Sequence, residues 1–134
     1  MSGLLLDSHI LLWLAGGNGR LGSALESQLR SPDTTLVLSA AAVYELALKV
    51  NIGKLKLSTD VNTLVRDSVK HYRLLKLPVS PEHAAIAGGL ELIHKDPFDR
   101  LLIAQAISDD LTLVTADNSF QAYQEKYAFN AIWC

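Results

Sequence analysis

The sequence predicts an α/β domain: a short, mainly parallel sheet of about five strands, flanked by helices on both faces. Three observations predict it. Short apolar runs of strand length alternate with segments of helix length and helical period along the whole chain. Capping and turn residues stand where those segments would begin and end. The length of 134 residues, with 49% apolar and 19% charged, suits one soluble domain over 1–134 with a real core. No linker, repeat or low-complexity tract interrupts it.

Gly3–Leu6 reads as a buried first strand, ended by Asp7. A short helix follows to Leu14, before the Gly16–Gly19 turn. Leu21–Arg30 is a helix, stopped near Ser31-Pro32 because the residue before a proline disfavours helical backbone. Leu36–Leu38 is the second strand. Ser39 is placed to cap a helix over Ala40–Val50, which Asn51 to Gly53 end. Val61, Leu64, Val65, Val69 and Tyr72 recur at helical spacing, with Arg66, Lys70 and Arg73 between them. Leu74–Val79 is the third strand and Pro81–Ile93 the next helix. Pro97–Ser108 is a helix, Leu111–Thr115 a strand, Phe120–Lys126 a short helix and Phe129–Trp133 the last strand. Ligands of such sheets sit at the carboxyl ends of the strands.

Net charge is −2, so no chain-wide basic footprint for nucleic acid exists. The distribution is uneven. Lys49 to Lys76 holds seven bases against two acids, a net +5, and the rest of the chain nets −7. Such a chain has the charges to hold a polyanion beside a cation, although on charge alone an ordinary solvated helix face is the better reading of the basic stretch. The single cysteine, Cys134, excludes a disulfide within the chain and suits a reducing compartment such as the cytoplasm. The apolar run Leu4–Leu14 is broken by Asp7 and His9 and lacks the length of a membrane span and the basic start of a signal peptide.

Four acids stand out. Asp7 directly follows the first strand and Asp117 follows "LTLVT", so two strands of one sheet end in acids on one edge. Each is also a plausible cap or turn residue. Glu45 lies in "AAAVYELALKV", a helix apolar nearly all round, where a carboxylate needs a partner. Lys49, one turn on, is one candidate, and a functional role over the strand edge is the other. In "HKDPFDRLLIAQA", Asp96 with Pro97 suits a helix start. One acid serves that cap, so Asp99 can face the same cleft; Asp96 is most simply the cap, and the sequence leaves open whether it also touches a metal.

Four carboxylates converging without matching bases repel, and a bound divalent cation relieves them. Oxygen-only ligands favour Mg²⁺ or Mn²⁺. A cation that keeps bound water suits phosphodiester hydrolysis. His9, His71, His83 and His94 lack zinc-ligand spacing. No P-loop, GxGxxG, GxSxG or CxxC is present. Composition leaves a Ser/His/Asp triad open, but no nucleophile motif supports one.

The segments "LLLDSHILLWL", "SAAAVYELALKVNIGKLKL", "HKDPFDRLLIAQA" and "LTLVTADNSFQAY", ending in "AIWC", occur in an order that resembles PIN-domain ribonucleases. The closer resemblance is to VapC-type toxins of bacterial toxin–antitoxin pairs. Tyr44 stands where many relatives carry Trp. The resemblance implies a PIN-like fold and a Mg²⁺- or Mn²⁺-dependent endoribonuclease acting on RNA. Position by position it implies Asp7, Glu45, Asp99 and Asp117 as the catalytic and metal-binding acids, with Asp7 and Asp99 as main ligands. Thr115 resembles the polar residue that supports the fourth acid. A homodimer and a small DNA-binding antitoxin, VapB-like or otherwise, are implied partners. The stripe from Val61 to Tyr72 is then core or part of the antitoxin groove.

Two other readings compete. A receiver-like signalling domain has acids at strand ends, but it needs an acidic pair at the first strand and an acceptor aspartate after the third, where "LLKLPV" has neither. A non-catalytic module of the same fold would be favoured by loss of an acid, and all four are present.

Overall fold

The computed structural model describes residues 3–16, 19–93 and 96–134, so the expected turn residues Gly17 and Asn18, and His94, lie outside the described residues. Five strands, β1 (Leu4–Leu6), β2 (Leu36–Ser39), β3 (Leu75–Leu77), β4 (Thr112–Thr115) and β5 (Asn130–Trp133), form one sheet in the order β3-β2-β1-β4-β5. Every neighbouring pair is parallel. The joining helices are α1 (Ser8–Gly16), α2 (Ser23–Arg30), α3 (Ala40–Asn51), α4 (Val61–Tyr72), α5 (Pro81–Gly89), α6 (Pro97–Ser108) and α7 (Phe120–Lys126).

Strand periodicity sorts the core into two layers. Leu6, Leu36, Leu38 and Val114 face one side with Ile10, Leu11 and Leu14 of α1. Leu5, Val37 and Leu113 face the other with Leu102, Ile103 and Ala106 of α6. One residue of register would exchange the two sets, so the pairing is strongly specified. Gly3 permits the close approach of β1 to β2, since a Cβ there would lie 2.9 Å from Val37 Cγ2. Val65, Val69 and Tyr72 of α4 pack against the first layer, so that part of the stripe is core.

The chain starts in the middle of the sheet, steps outward through β2 and β3, then returns to β4 on the other side of β1. That reversal is a topological switch point, and it opens a crevice outside the carboxyl ends of β1 and β4. A receiver-like domain has the order β2-β1-β3-β4-β5, so the topology sets that reading aside.

Local chemistry accounts for the boundaries. Ser39 ends β2 and at once caps α3, accepting from the Ala41 amide. Gly53, with φ of 80°, closes α3: its amide reaches Val50 and that of Lys54 reaches Lys49, the paired bonds of a Schellman turn. Helix α2 starts at Ser23 rather than Leu21, because Gly22 has a left-handed φ of 78° that a helix cannot use. Helix α5 stops at Gly89 and does not extend to Ile93. The Arg100 guanidinium takes the carbonyls of Ala87, Leu90 and Glu91 at 2.6, 2.9 and 3.1 Å, a cation at a helix C-terminus. Among the described residues no helix is long and apolar enough to cross a membrane.

Candidate active site

Asp7 follows β1 directly and is buried. Its Oδ1 accepts from the Ser8 amide at 2.7 Å, and its Oδ2 from the Thr115 hydroxyl at 2.8 Å. Thr115, the last residue of β4, also accepts from the Asp117 amide at 3.0 Å. One hydroxyl therefore ties the ends of the two strands that flank the switch point. Burial first, and then the charge of Glu45, hold the Asp7 carboxyl above its ordinary range, although the Thr115 and Ser8 bonds oppose the shift.

Glu45 projects from the second turn of α3 and is buried. Lys49, the partner weighed from the sequence, takes one oxygen, and Ser8 takes the other. The Ser8 hydroxyl donates to Oε1 at 2.8 Å, and Lys49 Nζ lies 3.3 Å from Oε2. Ser8 is buried between Asp7 and Glu45 and contacts both. Sequence reasoning missed it; its signal was a hydroxyl directly after the first acid.

Asp96 caps α6, accepting from the amides of Phe98 and Asp99 at 2.9 and 3.4 Å, with Pro97 in the first turn. It also does more than cap. One oxygen each from Glu45, Asp96 and Asp99 lie within 4.8 Å of one another, the group among the described residues with metal-holding geometry. The sequence leaves open whether Asp96 only caps α6; the structure places one of its oxygens in the cluster.

Asp99 carries the strongest signature. Burial, followed by the negative charge of Asp96, Asp7, Asp117 and Glu45, pushes its carboxyl up to about 8. Arg100, next in sequence, gives no relief, because its guanidinium is committed to the α5 carbonyls and the Tyr123 hydroxyl. Asp117 is exposed and forms the expected turn, accepting from the Ser119 amide at 2.9 Å. It still lies within the field of Asp99. The fold thus groups Glu45, Asp96 and Asp99, with Asp7 and Asp117 near enough for their charges to act on Asp99.

The donor set fits a divalent cation. It is all oxygen and mostly buried, and Lys49 reaches Glu45 as a salt bridge. Among the described residues, the hydrogen-bonded Ser/His/Asp grouping does not form a triad. Ser80, His83 and Asp109 do meet, but the Ser80 hydroxyl bonds the His83 backbone amide while the ring Nδ1 accepts from the Ser80 backbone. No hydroxyl there is placed for activation by the ring.

The PIN domain family profile matches residues 4–126, nearly the whole described fold and every acid above. The chain belongs to the PIN domain family. This PIN domain is 30% identical over 125 residues to Ribonuclease VapC22 of Mycobacterium tuberculosis, covering 92% of this chain and 94% of that protein. Its fold is similar to that in the crystal structure of VapBC2 from Rickettsia felis bound to a DNA fragment from their promoter, with a TM-score of 0.72, 18% identity and 98% of both chains covered. A second match is DNA-bound VapBC from Salmonella typhimurium, with a TM-score of 0.69, 19% identity and both chains covered in full. At those identities the structural likeness speaks for the PIN fold alone.

Proposed function

We propose that this PIN domain is a divalent-metal-dependent endoribonuclease, a VapC-type toxin neutralised by a cognate antitoxin. The carrying observation is the Glu45–Asp96–Asp99 cluster beside Asp7, acids gathered at a switch point closely enough to push the Asp99 carboxyl up to about 8. Likeness to a protein named as a ribonuclease supports RNA as the substrate. Similarity to VapBC complexes supports a small DNA-binding, VapB-like antitoxin as partner, and the family resemblance supports a homodimer in the cytoplasm.

Asp7, Glu45, Asp99 and Asp117 are the proposed catalytic acids. Asp7 and Asp99, with Glu45 and Asp96, would hold Mg²⁺ or Mn²⁺, and Asp117 would complete the site. A bound cation would supply neutralisation of phosphate charge and a water of lowered pKa. The protein's part is orientation. Both Asp7 oxygens already accept one hydrogen bond, from Ser8 and Thr115, and keep a second lone pair for a ligand. Glu45 is held likewise, by Ser8 on one oxygen and Lys49 on the other, which leaves it a fixed acceptor for a proton or for water.

The deciding experiment is cleavage of single-stranded RNA by the purified chain with Mg²⁺ or Mn²⁺. Asp7→Asn and Asp99→Asn are each expected to abolish it while the protein stays folded. Wild-type rates from either soluble variant would remove the site assignment.

A further inference from the structure

Tyr44 is the aromatic member of the large apolar side chains left exposed among the described residues, at 63%. Its ring meets Phe98 edge to face, with centroids 5.3 Å apart and planes at 87°. That is a favoured aromatic geometry, and it fixes the ring's orientation in solvent. Tyr44 immediately precedes Glu45 on α3, and Phe98 immediately precedes Asp99 on α6. Each ring is thus one helical step, about 100°, round its helix from an acid of the cluster. The two rings form one lip beside the carboxylates. The other exposed large apolar residues, Ile52, Leu75 and Leu92, are aliphatic and offer no π-face.

A cation at the acids would hold the phosphate, which leaves the bases of the strand to be placed by other groups. Stacking can place them, because every nucleobase has a π-face and the contact is indifferent to phosphate charge. The chain neighbours of this pair are Val43 and Glu45 on α3 and Pro97 and Asp99 on α6, so an acid of the cluster adjoins each ring.

We propose that Tyr44, braced by Phe98, stacks on a nucleobase of the single-stranded RNA whose phosphate lies at the acidic cluster. The inference rests on the nuclease reading above and adds a base-side positioning contact to it. Tyr44 touches no reacting atom. It sets which nucleotide lies beside the cleaved bond and how tightly the strand is held.

The test uses a short single-stranded oligoribonucleotide that the wild-type chain cleaves with Mn²⁺. Tyr44→Ala is expected to raise KM about tenfold and to leave kcat within about twofold, whereas Tyr44→Phe and Tyr44→Trp keep KM near wild type. In an Asp99→Asn background, where cleavage does not intervene, fluorescence anisotropy is expected to show the same loss of RNA affinity on Tyr44→Ala. A third arm replaces the nucleotides around the cleaved bond, one at a time, by an abasic residue. At one position the loss measured with wild type is expected to vanish in Tyr44→Ala. Losses that multiply at every position would overturn the stacking contact. So would an unchanged KM and affinity, including the case in which Tyr44→Ala weakens only antitoxin binding. If the wild type cleaves no RNA, the nuclease reading falls and this contact falls with it. A wild type that cleaves, matched by Tyr44→Ala, removes the stacking contact alone.

Discussion

The Thr115 hydroxyl donates to Asp7 Oδ2 at 2.8 Å across 108 residues of sequence, and both residues are buried. This bond joins the ends of two strands that are neighbours only because the sheet reverses between them. Thr115→Val keeps the shape and removes the donor, which frees Asp7 to rotate and leaves the Asp117 amide without its acceptor. RNA cleavage is expected to fall about 10- to 100-fold, as when the outer partner of a metal ligand is lost. Thr115→Ser is expected to retain most activity. Equal loss in both variants would show that the methyl group, and not the hydroxyl, matters.

The Asp99 carboxyl, raised to about 8 by burial and by its acidic neighbours, predicts a pH-dependent stability. In the folded, metal-free chain it binds a proton that the unfolded chain releases in the ordinary carboxylate range. The stabilisation is full below about pH 4 and is lost as pH rises through about 8. The raised pKa of Asp7 acts in the same direction. Urea midpoints of the metal-free protein are expected to fall between about pH 5 and pH 8, and Asp99→Asn to flatten that slope. Mn²⁺ must displace the proton, so calorimetry in two buffers of different ionisation enthalpy is expected to show proton release on binding near neutral pH. Identical slopes in wild type and Asp99→Asn would contradict the assignment.

The cap that Asp96 forms and its place in the acid cluster can be separated by mutation. Asp96→Ser keeps a good N-cap, so its unfolding midpoint is expected to stay near wild type, whereas Asp96→Ala is expected to cost about 1 kcal/mol. Both variants remove one cluster oxygen and are expected to weaken Mn²⁺ binding. If Asp96→Ser binds Mn²⁺ as tightly as wild type, the residue is a cap alone.

Lys54 and Lys56 are exposed in the basic segment that follows α3. If this segment guides RNA to the cleft, the double reversal Lys54→Glu/Lys56→Glu lowers affinity and reduces the salt dependence by about one charge per lysine. An unchanged slope of log affinity against log salt would rule out the contact.

Much of this was legible in the sequence because it is local. Helix starts at Ser39 and Asp96 follow from side chains that satisfy the first free amides, and both caps are formed; Asp60 and Ser80, not read as caps from the sequence, start α4 and α5 in the same way. Apolar runs placed the strands to within a residue or two. The end of α5 was not legible, since its carbonyls are taken by Arg100 from another helix. Nor was the link made by Ser8, whose partner Glu45 lies 37 residues on.

The sequence by itself determined the alternation of strands and helices, the caps, and which acids fall at strand ends, because these depend on period and on neighbours a few residues away. Only the tertiary structure decided the strand order β3-β2-β1-β4-β5, and with it the crevice between β1 and β4. It also decided that Asp96 joins Glu45 and Asp99, and that Arg100 turns away from them. The physical reason is common to all of these. A carboxylate's role depends on which charges and donors surround it in a buried place, and that company comes from segments distant in the chain.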